Sequence, residues 1–408
     1  MQTEQYPKIR YVDFFPVRTE NGQMIALRDQ SGISPETLVI TPDVFYLLQF
    51  CDGRHSFKDL QREYLKIFNK FLKENNLRQV LEMLDAYFFL ENDRFRERRQ
   101  KIETDFVSLP VRPAAHAGTS YQAEPTKLKD QISGFFKQAN GIHRSFKGKT
   151  IKGMIAPHID IRAGGVCYSY AYKALAEAND IDCFVILGTG HSGLANLYSV
   201  LAKDFATPFG QAKCDFDFIQ TLKKNYPNAA YPEVLPHKTE HTIEFQLVFL
   251  QYLLQQKRPF TFVPILCSFS YHMLNAGQFK RESDIIDKFT HALKKTITES
   301  DKNVCLVASV DFSHVGPQYG DQNSPDERFM ANVHKADKEL ITKIEAVDGD
   351  GFYQSVANKQ DRFRVCGFSP IYTMLKAIDA KTGHFLNSSE TKMDEKNSTV
   401  TFASMVLE

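Results

Sequence analysis

The segment Val304-Cys305-Leu306-Val307-Ala308-Ser309-Val310-Asp311-Phe312-Ser313-His314 is an apolar run that ends in a carboxylate, a hydroxyl and an imidazole. Apolar runs followed by a histidine-bearing loop recur at Ala156-Pro157-His158 and at Gly188-Thr189-Gly190-His191. A fourth histidine segment, Glu240-His241-Thr242-Ile243-Glu244, begins a helix-like stretch. Ligands of open α/β sheets bind beyond the carboxyl ends of the strands. The sequence therefore predicts that these histidines converge on one site.

From residue 151 onward, short apolar runs alternate with segments long enough to form helices. This alternation predicts an α/β fold with a mostly parallel sheet and helices on both faces. We expect the last apolar run, 398–407, to add an edge strand. The predicted strands are 153–156, 183–187, 197–202, 262–266 and 304–310, and the predicted helices are 165–178, 216–224, 241–255, 284–298, 326–347 and 368–377.

The N-terminal part of the chain has a different sequence pattern, in which short strand-like pieces precede three helical segments. One helix starts clearly at Thr41-Pro42-Asp43, which supplies an N-cap, a proline and an acidic first turn. This layout is similar to winged-helix modules that recognise peptides. We therefore predict a small winged-helix-like α+β docking domain at 5–96, a linker at 97–112 and the α/β domain at 113–408. The mixed charge of 5–96 argues against DNA binding.

The composition narrows the class of protein. The 408 residues carry a formal net charge of +1, and 24% of them are charged. This charge balance is not typical of a nucleic-acid-binding protein. Seven cysteines, an odd number with no C-x-x-C pair, are typical of reduced cytosolic thiols. The apolar runs are too short to span a bilayer. We predict a cytoplasmic protein that binds neither nucleic acid nor a membrane.

The histidine segments also have structural interpretations when each is taken alone. His158, after a buried strand, fits a core histidine as well as a ligand. The loop that carries His191 is rich in glycine, but it lacks the lysine that a phosphate-binding loop needs. His241 and Glu244 lie one helical turn apart, which is also a common spacing on solvated helix faces. The joint placement of the segments is what favours a shared site.

The fourth segment places Asp311, Ser313 and His314 within four residues. Groups this close in sequence do not form a hydrolase triad among themselves, and no G-x-S-x-G motif presents a serine. We interpret His314 as a pocket residue and Asp311 as the carboxylate that orients it.

From about His116 onward, the chain resembles the Memo family, in particular the bacterial proteins of the AmmeMemoRadiSam system. The resemblance rests on a series of motifs in order along the chain. They are His116-Ala117-Gly118-Thr119-Ser120-Tyr121, Ile155-Ala156-Pro157-His158, Ile186-Leu187-Gly188 with His191, Glu240-His241-Thr242-Ile243-Glu244, Phe262-Val263-Pro264-Ile265-Leu266, Ser309-Val310-Asp311-Phe312-Ser313-His314 and Val365-Cys366-Gly367.

The resemblance implies a fold similar to the catalytic subunit of class III extradiol dioxygenases, in which two histidines and a glutamate bind non-haem Fe(II). In Memo proteins the equivalent pocket resembles a set of three histidines and a cysteine. The implied cofactor is a metal ion, with Fe(II), Cu(I) and Zn(II) as the alternatives. The matching metal ligands here are His158, His191, His314 and Cys366; His314 is the expected catalytic proton carrier, and His116, Gly190, His241, Glu244 and Asp311 are expected to line the pocket.

Two departures from these patterns matter for function. Cys366 stands at the position of the dioxygenase glutamate, which argues against dioxygenase chemistry of that type. Ser313 stands where animal-type Memo proteins have a cysteine. Two functions therefore remain open. The first is a metal-dependent oxidoreductase, and the second is a non-catalytic binding or scaffold protein that works with a radical SAM protein and a third protein of the same system.

Overall fold

The chain divides into two compact units, Met1–Leu109 and Pro110–Glu408. The computed structural model describes residues 6–20, 22–29, 31–141, 144–230, 233–254, 257–271 and 280–408. The boundary between the units falls inside the segment predicted as a linker, and most of that segment is helical. None of the helices in the described ranges is long and apolar enough to cross a membrane.

The small unit combines a three-stranded antiparallel sheet with four helices. The strands are β1 (Asp13–Thr19), β2 (Gly22–Arg28) and β3 (Leu38–Ile40), with β2 in the middle. The helix predicted at Pro42 is present, and Ser56 caps the next one by a reciprocal capping box with Asp59. The helices are α1 (Pro42–Leu48), α2 (Phe57–Phe68), α3 (Glu74–Ala86) and α4 (Asp93–Ser108).

The large unit is built on an eleven-stranded mixed sheet. Its centre is parallel, with neighbours in the order β5, β11, β6, β10. Residues of β5, β6 and β11 are almost all buried, as expected where both faces of a parallel sheet are covered. The strands are β4 (Val111–Arg112), β5 (Gly153–Ala156), β6 (Cys183–Thr189), β7 (Tyr198–Val200), β8 (Asp204–Thr207), β9 (Gly210–Cys214), β10 (Thr261–Cys267), β11 (Val304–Ser309), β12 (His314–Val315), β13 (Gly383–Lys392) and β14 (Thr399–Leu407).

Helices flank this sheet, so the predicted α/β class is confirmed. One helix begins at Ile161 rather than at the predicted residue 165, because Asp160 caps it and the two glycines lie inside it. A Cβ at Gly165 would lie 2.4 Å from the Phe135 ring, so the glycine permits close helix packing. The helices are α5 (Pro125–Gln138), α6 (Ile161–Glu177), α7 (Phe216–Asn225), α8 (Val234–Thr239), α9 (His241–Leu254), α10 (Lys280–Glu299), α11 (Glu327–Glu345), α12 (Gly349–Ala357) and α13 (Phe368–Ala377).

The C-terminal strand differs from its prediction. β14 is not an edge strand, because it pairs with β13 and also with β5 and β12. All of its residues are buried. The expectation of an edge was wrong because β13, with the polar sequence Asn387-Ser388-Ser389-Glu390, carries little apolar alternation and was missed as a strand. β8 and β9 were missed for the same reason.

The register of the central strands brings their carboxyl ends to one level. Ser309 of β11 lies opposite Ala156 of β5 and also opposite Gly188 of β6. The residues that follow these three positions therefore leave the sheet side by side. This register is what allows loops far apart in sequence to build one site.

We predict that Phe249→Ala destabilises the large unit by about 3–5 kcal/mol, because it removes a fully buried ring. That ring stacks on Tyr168 at a centroid distance of 4.7 Å and on Tyr172 at 5.1 Å. Urea unfolding followed by circular dichroism measures the change. Phe216→Ala is the control, because Phe216 is 48% exposed. Equal losses for both variants would contradict this description of the core.

Candidate metal site

Three histidines come together beyond the carboxyl ends of the central strands. His158 follows β5, His191 follows β6, and His241 is the first residue of α9. One ligand nitrogen of each histidine lies within 4.8 Å of those of the other two. The ring centroids are 4.9, 5.0 and 5.4 Å apart. This group has the size and chemistry of a metal site.

His158 is the buried member of the group. Its Nδ1–H donates to the carbonyl oxygen of Ser309 at 2.9 Å, because a carbonyl can only accept. The lone pair is therefore on Nε2, on the side of Cys366. Burial, with the proximity of His191 and His241, holds the pKa of His158 well below its usual range. A neutral imidazole with its outer nitrogen fixed is the form that binds a metal ion.

Glu240 orients the other two histidines. Its Oε1 lies 3.1 Å from Nδ1 of His191 and 3.1 Å from Nδ1 of His241. The same carboxylate accepts the backbone N–H groups of His191 and His241, each at 2.9 Å. Although burial opposes the charge, the two imidazoles hold the pKa of Glu240 well below its usual range. A carboxylate that fixes two imidazoles by Nδ1 leaves both Nε2 atoms available as ligands.

The pocket histidines differ in their protonation. Burial lowers the pKa of His241. Burial would also lower the pKa of His191, but Glu240 and the thiol of Cys366 outweigh it and raise this pKa well above its usual range. The Glu240 carboxylate thus stabilises a positive charge on His191 more than on His241. The side chains of His191 and His241 are 27% and 28% exposed, so the pocket is open on their side.

Cys366 places a sulfur atom beside two of these histidines. Its Sγ lies 3.3 Å from Nε2 of His158 and 3.6 Å from Nε2 of His191. The backbone N–H of Cys366 donates to the carbonyl of Phe312 at 3.0 Å, which ties the cysteine loop to the end of β11. The other six cysteines are buried, whereas Cys366 is partly exposed.

Asp311 lies at the base of the pocket. It accepts the backbone N–H groups of His158 and Ile159, each at 3.1 Å, and its Oδ2 lies 3.5 Å from Nε2 of His158. Burial raises the pKa of Asp311 to about 7. With His158 neutral, this contact is not a full ion pair at neutral pH. Asp311 was predicted to orient the ring of His314. Its carboxyl group instead positions the loop that carries His158.

His314 lies outside the three-histidine group. Its Nδ1 is 3.3 Å from the carbonyl of Phe312, and its ring packs edge-on against Tyr319 at 4.9 Å. Burial lowers its pKa to about 4, with smaller contributions from His191 and Arg364. The sequence predicts His314 as the third histidine of the group. Among the described residues, the third histidine is His241 instead.

His116 and Glu244 belong to the support of the pocket. The His116 ring packs edge-on against His241 at 5.7 Å, and its Nε2 bonds the carbonyl of Thr239 at 2.7 Å. The carboxylate of Glu244 accepts bonds from Arg112, from Tyr121 and from the backbone N–H groups of Ala115 and His116.

Sequence reasoning missed two functional parts of this arrangement. The motif that contains Glu240 gives this residue no role, although a carboxylate directly before a histidine at a helix start is a usable signal. Arg112 gave no signal at all. It is fully buried and donates to the carbonyls of His237 and Glu240 at 2.7 and 2.8 Å, so it holds the turn before α9.

This fold and pocket define an α/β protein with an imidazole and thiol site at the carboxyl edge of a parallel sheet. Comparison with known proteins assigns the family. The family model described as "Memo-like protein" matches residues 112–406, and the chain belongs to this family.

Relatives agree with this assignment along the chain. A MEMO1 family protein of Aquifex aeolicus is 30% identical over 403 residues, which cover 98% of this chain and 99% of the relative. A MEMO1 family protein of Methanopyrus kandleri is 30% identical over 276 residues, 66% of this chain and 87% of its own. One from Methanosarcina barkeri is 27% identical over 305 residues, which cover 73% of this chain and all of the relative.

We predict that Gly188→Ala destabilises the large unit by about 1–3 kcal/mol, because a Cβ there would lie 2.3 Å from Oγ1 of Thr242. The clash displaces the first turn of α9, which carries His241. Gly190→Ala is the matched control, since its Cβ would meet Leu194 at an ordinary 3.4 Å. Thermal and urea unfolding measure the stability of the two variants. Equal losses of stability would contradict the close approach of Gly188 to Thr242.

We predict that Arg112→Met costs about 3–5 kcal/mol of stability, because it leaves the buried Glu244 carboxylate without its cation. Although burial opposes ionisation, Arg112 lowers the pKa of Glu244. The free energy of unfolding in urea measures the loss. Arg162→Met, which breaks an exposed ion pair with Asp160, should change stability little. A small effect at Arg112 would show that the buried pair does not support the pocket.

Proposed function

We propose that this protein is a metal-dependent oxidoreductase whose ion is bound by His158, His191, His241 and Cys366. One observation carries the proposal: three imidazoles meet within 4.8 Å, and each has its Nδ1 held by an acceptor. Core histidines that serve only packing do not need three imidazoles within this distance, each held by its Nδ1. The arrangement supports ion binding more directly than a purely structural role.

The donor set fits a borderline or soft ion. Three imidazoles and one thiolate suit Zn(II), Cu(I) and Fe(II), whereas Mg²⁺ and Ca²⁺ prefer oxygen ligands. The site lacks the two-histidine, one-carboxylate set of the dioxygenases, because Cys366 stands where that set has a glutamate. When bound, Fe(II) or copper would supply electron transfer between a substrate and O₂.

The residues of the chain have separate tasks in this proposal. Glu240 fixes two of the imidazoles, and Asp311 fixes the loop of the third. His314 accepts a proton at its Nε2, since its Nδ1–H donates to the carbonyl of Phe312 and leaves the lone pair on Nε2. This division assigns ligation and proton transfer to different histidines.

A cavity beside Cys366 is large enough to hold a small-molecule substrate. Its volume is about 300 Å³, within the range of small-molecule sites. Hydroxyl groups and two aromatic rings line it. The residues are Thr189, Ser268, Phe269, Ser270, Asp361, Val365, Cys366, Phe368 and Ser369.

A second function is supported by the small unit. Nine of the twelve large apolar side chains that are exposed in the described ranges belong to residues 6–109. Exposed apolar residues at this density favour protein docking. In this alternative, the winged-helix-like unit binds a radical SAM protein, a third protein completes the system, and the pocket is not catalytic. The seven free cysteines support action in the cytoplasm in either case.

We predict that anaerobically purified protein binds one Fe(II), Zn(II) or Cu(I) ion. Single alanine variants of His158, His191 and His241 should each lose this site. Glu240→Gln should weaken affinity about 10–100-fold, because it frees two ligand rings. Competition titration with a chromophoric chelator measures the affinity.

The control variants separate ligands from neighbours. His334→Ala removes an exposed histidine that pairs with Glu390, and it should leave metal affinity unchanged. His314→Ala should retain the metal but abolish the proposed oxidation of the substrate. Loss of metal in His314→Ala with retention in His241→Ala would contradict the ligand set. Tight binding of the radical SAM protein to a metal-free variant, with no turnover by the loaded protein, would favour the alternative.

A further inference from the structure

A second cavity lies on the far side of the loop that carries His314. Its volume is about 590 Å³, in the range of pockets that hold small organic ligands. Helix α11 forms one wall, and the β13–β14 hairpin forms the other. Neither the metal ligands nor the proposed substrate cavity contributes to its lining.

The walls of this outer cavity are mainly apolar. Ile341 on α11, Phe385 on β13 and Ala403 on β14 line it, and Phe312 contributes from the loop. Phe385 is 42% exposed, although it is a large aromatic residue. An apolar group the size of a phenyl ring would remove apolar surface of this cavity from contact with water.

One carboxylate lies at the floor of the outer cavity. Asp337 is 8% exposed, and its two oxygens accept the hydroxyls of Ser313 and Thr401, each at 2.6 Å. The structure gives Asp337 no ion-pair partner within the described ranges. Burial raises its pKa, as expected for a carboxyl without a cation. Each carboxylate oxygen retains a lone pair for a further donor.

The remaining charged groups at the cavity favour a cation. Glu345 and Glu390 line it together with Lys338 and His334. His334 is paired with Glu390 at 2.7 Å. Beyond this pair, Asp337 and Glu345 contribute two carboxyl groups and Lys338 one ammonium group, so acidic groups outnumber basic ones at the cavity.

We propose that the outer cavity is a binding site for a small organic ammonium ion with an apolar body. Its ammonium group donates to Asp337, and its apolar part lies against Ile341, Phe385 and Ala403. A buried carboxylate without a cation is costly, and an ammonium ion offsets that cost through charge-assisted hydrogen bonds. The proposal does not depend on metal binding.

The outer cavity shares its floor with the metal pocket. Phe312 lines the cavity, and its carbonyl accepts the N–H of Cys366 and faces Nδ1 of His314. Ser313 bonds Asp337, and it lies directly between Phe312 and His314. A ligand bound at Asp337 therefore contacts the reverse side of the loop that presents His314.

Isothermal titration calorimetry with three probes of similar shape tests the charge preference. We expect 2-phenylethylamine to bind with a Kd on the order of 1 mM or tighter. The uncharged 2-phenylethanol should bind about tenfold more weakly, and 3-phenylpropionate should not bind. Amine and alcohol of equal affinity, or preferred binding of the acid, would overturn the proposal.

Variants locate the site. Asp337→Asn should remove the preference for the amine, and Ser388→Trp, at an exposed position opposite Ala403 on the cavity side of the hairpin, should block all three probes. Glu327→Gln, on an exposed position of the same helix, should bind like the wild type. Hydrogen exchange of the wild type should slow at 311–315 and 399–403 when the amine is bound. Unchanged amine binding in both site variants, or protection confined to other segments, would overturn the assignment.

Discussion

The three-histidine site depends on one buried carboxylate. Glu240 accepts bonds from the backbone N–H groups of His191, His241 and Thr242 and from the Nδ1 atoms of both histidines. A buried charge is stable only when donors surround it, and these donors are the ligand-bearing residues themselves. The same contacts therefore satisfy Glu240, fix two imidazoles and begin α9. Arg112 completes the support by holding the carbonyl of Glu240.

The parallel strands position the third histidine and the segment that holds the cysteine. Because β5, β6 and β11 end at the same level, His158, His191 and Asp311 leave the sheet next to one another. The carbonyl of Phe312, just beyond β11, then fixes the loop of Cys366. Two physical constraints, strand register and one buried anion, thus bring together segments that span more than 200 residues.

Much of this arrangement could be predicted from the sequence, because buried parallel strands are continuous apolar runs. The runs that end near His158, His191 and His314 marked the strand ends and hence the edge of the sheet that carries the site. Sequence could not show which histidine completes the group, since that choice depends on the angle at which α9 meets the sheet. The polar strand β13 was missed because its outer face carries hydroxyls rather than alternating apolar residues. The support from Arg112 depends on contacts more than 120 residues apart, which leave no local pattern.

X-ray absorption spectroscopy of the anaerobic Zn(II)-loaded protein tests the ligand set most directly. The structure predicts three imidazole nitrogens and one sulfur at about 2.3 Å. Cys366→Ser should remove the sulfur signal, and His241→Ala should remove one imidazole, whereas His314→Ala should leave the spectrum unchanged. A spectrum without sulfur, or one that loses an imidazole in His314→Ala but not in His241→Ala, would contradict the site described by this fold.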